Sequence, residues 1–181
     1  MERGPVDVMI ERWERERPDL DASSLQIIAR VTRLARAIDE DAAAVLREFH
    51  LSEVEFQLLA AIRTAPDCRA APRTLLQPLM VTSGGLTNRI DRLETAGWIV
   101  RAPNPEDRRG VFLELTPSGR ELVDRVTAAY LRNQGELLRE ALTDGERTRL
   151  APLLRKLLDS LSDRNAKRKP VSGPEPEQPG T

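Results

Sequence analysis

Thr87, Asn88 and Arg92, the candidates for base edges, fall within two helical turns of one another in the stretch VTSGGLTNRIDRLETAGWIVRAPNPEDRRGVFLEL, residues 81–115. An asparagine amide can bond adenine through two hydrogen bonds, and a guanidinium can do the same to guanine. Each such pair is worth about 1–3 kcal/mol of discrimination between bases. Just ahead, Ser83 and Gly84 are small enough to let a helix N-terminus come close to a phosphate. Arg89 flanks the other side of the stretch, where it can serve a phosphate or an internal carboxylate. Asp91 and Glu94 count against this chemistry, since acids repel a polyanion unless each is tied to Arg92 or Arg89.

Other chemistries lack their residues. The single histidine, His50, sits at a helix end beside Leu51, where a satisfied or solvated imidazole is the simple reading. No nucleophile–base pair, glycine-rich phosphate loop or metal-ligand cluster is visible, so no catalytic residue, metal or cofactor is expected. The lone Cys68 excludes an intramolecular disulfide and leaves too few thiols for a zinc site.

The elements that must position the polar residues are legible around them. Thr82 and Ser83 are helix-capping types. Leu86, Ile90 and Leu93 recur at i, i+4 and i+7, one apolar stripe at the helical period. That stripe turns Gly84, Thr87, Asn88, Asp91, Arg92 and Thr95 to the opposite face. Gly97 ends the helix where a left-handed residue is wanted. Trp98 to Arg101 then reads as a short strand, and Val111, Leu113 and Leu115 alternate with Phe112 and Glu114 as a second one. Between them lies the loop from Pro103 to Gly110, which holds Arg108 and Arg109 in tandem. A helix followed by a β-ribbon with a basic tip is a winged helix: the helix fits a major groove, and the tip arginines reach phosphates or a narrow minor groove.

The residues SGGLTNRIDRLETAGWIVR and DRRGVFLELTPSGREL resemble the recognition helix, wing and following helix of the MarR family of bacterial transcription regulators. The resemblance extends over residues 17–161. It implies a homodimer whose first and last helices intertwine, binding double-stranded DNA at a palindromic operator, with a small-molecule effector held between the dimer platform and the winged helix. The expected role is that of a repressor in the cytoplasm, released from its operator by that effector. Asp107 and Arg109 resemble the family's internal wing ion pair, which leaves Arg108 free for the minor groove, with the roles of the two arginines interchangeable. The opening around Trp13 is similar to the branch with urate-responsive and related repressors, which implies an effector pocket formed by Trp13, Arg89 and Arg92. Gln57 stands near the place of an expected acid, which points away from urate towards another flat anionic or aromatic ligand.

Composition sets the outer bounds. At 181 residues the chain is long enough for a real core, and 40% hydrophobic with 3% aromatic residues makes that core aliphatic. The net charge of −1 does not advertise nucleic-acid binding, but the charge of the contacting surface decides, not the total. It does favour one alternative: a winged-helix module that binds protein and no DNA. No 18-residue apolar run or signal peptide is present, so no membrane partner is expected.

The organisation read from the chain is mainly α with a small β-hairpin wing, a winged helix-turn-helix domain joined to a helical dimerisation platform. Residues 1–20 form a leading segment with helical spacing of Val6, Met9, Ile10 and Trp13. Residues 21–50 form a long dimerisation helix, whose apolar face runs over more than six turns and calls for a partner. The winged helix-turn-helix occupies 51–115. Ser52 with Glu55 reads there as a capping box, and residues 74–80 as the first helix of the pair. Residues 116–162 supply the C-terminal dimerisation helices: Thr116-Pro117 starts one, and Thr143 with Glu146 caps another. The latter carries Leu150, Leu153, Leu154, Leu157, Leu158 and Leu161, with a kink expected at Pro152. Residues 163–181, with four prolines, are expected to be disordered.

Overall fold

The computed structural model describes residues 3–76, 79, 82–104 and 110–168. The order is α1 (Pro5–Glu16), α2 (Leu25–Glu48), α3 (Glu53–Thr64), a 3₁₀ turn (Pro66–Cys68), β1 (Arg69–Ala70), α4 (Pro72–Leu75), α5 (Ser83–Thr95), β2 (Ile99–Pro103), β3 (Val111–Leu115), α6 (Pro117–Ala141) and α7 (Asp144–Arg168). The chain divides into two compact units, residues 1–134 and 135–181, so that α6 crosses from one into the other.

The first unit is the winged-helix body with its leading helices. Its core gathers Leu46 of α2, Leu58, Leu59 and Ile62 of α3, the α5 stripe, Ile99, Leu113, and Val123 and Val126 of α6. The sheet has the order β1-β3-β2 and is antiparallel throughout. β1 is an element that the sequence reading lacks. Two residues show no alternation, and this strand exists only because Arg69 and Ala70 pair with Glu114 and Leu113. An Arg69–Glu114 ion pair of 2.8 Å reinforces that register.

Helix ends follow local rules. Ser52 and Glu55 form the expected capping box: the Ser52 N–H donates to Glu55 Oε2 (2.8 Å), while the Glu55 N–H donates to Ser52 Oγ (3.4 Å). α2 begins later than expected, after Ser24, and Asp21 instead accepts from the Ser23 N–H at 2.9 Å. α4 begins earlier than residue 74, with Pro72 as its first residue, a position where proline loses no hydrogen bond. Pro78, expected within that helix, lies outside the described residues.

The second unit comprises the end of α6 and α7. Thr143 caps α7 reciprocally with Glu146: the Thr143 N–H donates to Glu146 Oε2 at 2.8 Å, and the Glu146 N–H donates to Thr143 Oγ1 at 3.4 Å. α7 continues through Pro152 as a single helix. It runs on to Arg168, so residues 163–168, expected to be disordered, are helical. The segment Asp163 to Arg168 holds no proline, and Arg164 and Lys167 suit the negative end of the helix dipole. Among the described residues, no helix is long and apolar enough to cross a membrane.

Candidate nucleic-acid interface

The presentation of α5 starts at its cap. Thr82 Oγ1 accepts the Gly85 N–H at 3.2 Å, which fixes the first turn. Leu86, Ile90 and Leu93 are buried in the core, and the helical period then turns Ser83, Gly84, Thr87, Asn88, Asp91, Arg92 and Thr95 out to solvent. Among the described residues, a Cβ on Gly84 would meet no atom within 4 Å, so the surface there is open.

The far end of α5 is held by a Schellman closure. Gly97 adopts φ 74°, the Gly97 N–H donates to Glu94 O (2.9 Å), and the Trp98 N–H donates to Leu93 O (3.0 Å). The start of α6 is locked onto this exit. Thr116 Oγ1 donates to Gly97 O at 2.7 Å and accepts the Gly119 N–H at 3.0 Å, while the Thr116 N–H donates to Trp98 O at 3.1 Å. The Leu-Thr-x-x-Gly run after the wing is thus the clamp that joins recognition helix, ribbon and α6.

The four charged residues of α5 behave differently from one another. Arg89 is half-buried and folds back to donate to Gly85 O at 2.8 Å. Arg92 is exposed, yet its guanidinium points towards the α2–α3 junction. Its Nε lies 3.2 Å from Oε1 of the buried Glu55, and its Nη2 donates to His50 O at 3.3 Å. His50 closes α2 with φ 56°, a left-handed conformation that is uncommon outside glycine. Asp91 and Glu94 are neutralised by neither Arg89 nor Arg92. Arg101 of β2 takes both: its Nη2 donates to Asp91 Oδ1 at 2.6 Å, its Nη1 pairs with Glu94, and its backbone N–H donates to Glu94 Oε1 at 3.3 Å. The bond to Asp91, ahead of the attraction of both acids, raises the Arg101 pKa above its usual value. Sequence reasoning missed Arg101. The available signal was its place four residues after Gly97, where the returning strand must pass the helix it has just left.

The ribbon is regular from Ile99↔Leu115 to Pro103↔Val111, and its neck is closed by the Asn104 N–H donating to Gly110 O at 3.1 Å. Asp107, Arg108 and Arg109, the expected wing ion pair and minor-groove arginine, lie outside the described residues. Of the four residues expected to line an effector pocket, Trp13 is half-exposed in a groove of about 400 Å³ whose walls, among the described residues, belong to α1, including Val8, Met9 and Arg12. Gln57 donates to Glu53 Oε1 at 2.9 Å on its own helix, and Arg89 and Arg92 are engaged as described. A larger cavity of about 550 Å³ lies beside the wing neck, with Ala65, Arg69, Arg73, Leu75, Asn104 and Phe112 among its walls.

Comparison with known proteins places this geometry. The MarR family model matches residues 51–111, the span from α3 into β3. The HTH-type transcriptional regulator PecS of Dickeya dadantii is 35% identical over 150 residues, covering 82% of this chain and 90% of its own. The crystal structure of a cysteine-to-serine mutant of MarR from E. coli, complexed with operator DNA, superposes with a TM-score of 0.64 at 30% identity, over 77% of this chain and 99% of that one. AbsC of Streptomyces coelicolor shares the fold at a TM-score of 0.70 and 21% identity, over 80% of this chain and 97% of its own. A capped recognition helix, a Schellman exit clamped by Thr116 and Gly119, and a paired ribbon thus meet in a chain that belongs to the MarR family of winged helix-turn-helix transcription regulators.

Proposed function

We propose that the protein is a homodimeric, sequence-specific DNA-binding regulator, a cytoplasmic repressor released from a palindromic operator by a small molecule. The observation that carries this reading is the solvent face of α5. It presents Thr87, Asn88 and the glycine-lined N-terminus outward, while the two acids on the helix are neutralised from the ribbon. Thr87 and Asn88 are the base-edge readers, Ser83 and Gly84 meet a phosphate, and Arg108 enters the minor groove with Arg109 held by Asp107. Arg89 and Arg92 contribute positive potential, with part of their hydrogen-bonding capacity directed inward.

The dimer reading rests on apolar faces that the protomer leaves uncovered. On α2, Ile27, Ile28 and Leu34 are each more than half exposed. On α7, Leu153 and Leu158 are 60% and 64% exposed, within a row that continues through Leu154, Leu157 and Leu161. Such faces are costly in water and are covered in an obligate dimer. Residues 21–50 and 116–162 therefore supply the dimerisation helices. The effector, a flat anionic or aromatic molecule, is held on the platform side with Trp13 in its wall. It shifts the equilibrium between two spacings of the recognition helices by no more than its differential affinity for them.

Selection of bound genomic fragments, followed by footprinting and metabolite challenge, tests the proposal. The expected footprint is two-fold, with half-sites about 10 bp apart centre to centre. A monomer protecting a single asymmetric half-site rejects the dimeric reading. A protein-binding module without DNA affinity keeps the support of the net charge of −1 but loses that of the acids on α5, which Arg101 pairs.

A further inference from the structure

We propose that Arg101 is an electrostatic shield for the recognition helix: it cancels Asp91 and Glu94 where they would otherwise face the DNA backbone. This rests on the reading that α5 lies against DNA. Asp91 is one turn beyond Thr87 and Asn88 on the same exposed face, and its side chain is 56% exposed. Glu94 is one turn further, 36% exposed. A bare carboxylate at either place would meet a surface carrying a negative charge about every 1.7 Å of duplex. The dimer would present four of them.

The geometry is that of a built counter-ion. One guanidinium spans both acids, with Nη2 on Asp91 and Nη1 on Glu94, a planar fork used on two carboxylates at once. Glu94 is also fixed by the Arg101 backbone N–H. A third of the Arg101 side chain is exposed, and its pairs with both acids hold the charge in place. Arg92, the neighbouring cation on α5, is directed away to Glu55 and His50. It does not take over the task. Arg101 acts on DNA through the two acids, as a positioning and neutralising residue, and not by touching a base.

Binding of the full-length chain to a selected genomic duplex, followed by fluorescence anisotropy across salt concentration, separates this from a purely structural role. Arg101→Ala is expected to weaken binding about tenfold near 50 mM salt and about threefold or less near 200 mM, since added salt screens the exposed acids. Arg101→Ala combined with Asp91→Asn and Glu94→Gln is expected to recover affinity to within about twofold of wild type, because nothing is left to shield. A triple variant as weak as Arg101→Ala, or an Arg101→Ala variant that binds like wild type, overturns the shield. If Arg101→Ala does not fold, Asp91→Asn with Glu94→Gln decides on its own. It is expected to bind about threefold or more tightly than wild type, and unchanged or weaker binding overturns the proposal. Asn88→Ala is run alongside: if it leaves binding unaltered, the orientation of α5 on DNA has failed, whereas a sensitive Asn88 with an unrecovered triple variant rejects the shield alone.

Discussion

A methyl group added to Gly119 would lie 1.9 Å from the carbonyl oxygen of Trp98. No side chain fits in that space, and the obstacle is backbone that cannot swing aside. Gly119 therefore sets how closely α6 lies against the exit of the recognition helix, and the Thr116 hydrogen bonds to Gly97 and Trp98 hold the approach in register.

Gly119→Ala measures that contact. Helix propensity alone favours alanine over glycine by about 1 kcal/mol. Overpacking costs about 1–3 kcal/mol, and more when the clash is with main chain, so a net loss of about 2 kcal/mol or more is expected. Chemical denaturation reads it. A variant as stable as wild type shows that α6 can shift away without loss.

Asn88→Ala and Thr87→Ala are expected to leave stability unchanged, since both side chains are exposed, and to relax specificity. Asn88→Ala should lose about 1–3 kcal/mol of discrimination at one base pair of each half-site. Competition binding with single-base variants of the operator checks this. A uniform loss across all sequences assigns Asn88 to the phosphate backbone.

Arg92→Ala separates two roles. Its removal takes the guanidinium away from the buried Glu55 carboxylate, which keeps its hydrogen bonds from Ser52. A destabilisation of about 1 kcal/mol is expected, modest because the Arg92 side chain is 63% exposed and screened by water. Glu55→Gln should remove part of the penalty in a double-mutant cycle. Additive effects would show that the ion pair contributes nothing to stability.

Acid should act on α7. Hydrogen bonds from the Thr143 hydroxyl and N–H hold the Glu146 pKa below its ordinary value. A carboxylate with a depressed pKa in the folded state contributes stability above its unfolded pKa, and that contribution disappears as pH falls through the folded value. Fraying of the α7 N-terminus is therefore expected below the usual carboxylate range, read by amide exchange. Glu146→Gln should flatten this dependence; an unaltered profile would assign the transition to other acids.

Leu154→Glu with Leu158→Glu places charge in the uncovered row of α7. Sedimentation is expected to show monomers where the wild-type chain gives dimers, with DNA affinity falling in step. Intact dimers would show that the row serves another purpose.

Much of the interface is local chemistry, and so it is visible in the sequence. Thr82 caps α5, the 3.6-residue period buries Leu86, Ile90 and Leu93, and Gly97 takes a left-handed turn. Each depends on residues within a few positions of one another, and together they dictate which side chains α5 shows to solvent. The capping boxes at Ser52 and Thr143 are legible for the same reason. What the tertiary structure decides are the relationships across elements. β1 has no pattern of its own and exists through pairing with β3. Arg92 faces outward by periodicity, but the packing of α3 places Glu55 and His50 beside it and draws its guanidinium inward. The chain places Arg101 only as a strand residue four positions after Gly97; its role as the counter-ion for Asp91 and Glu94 arises when the ribbon folds back along the helix. Periodicity determines which face a side chain occupies; the charges it meets there depend on which element arrives alongside.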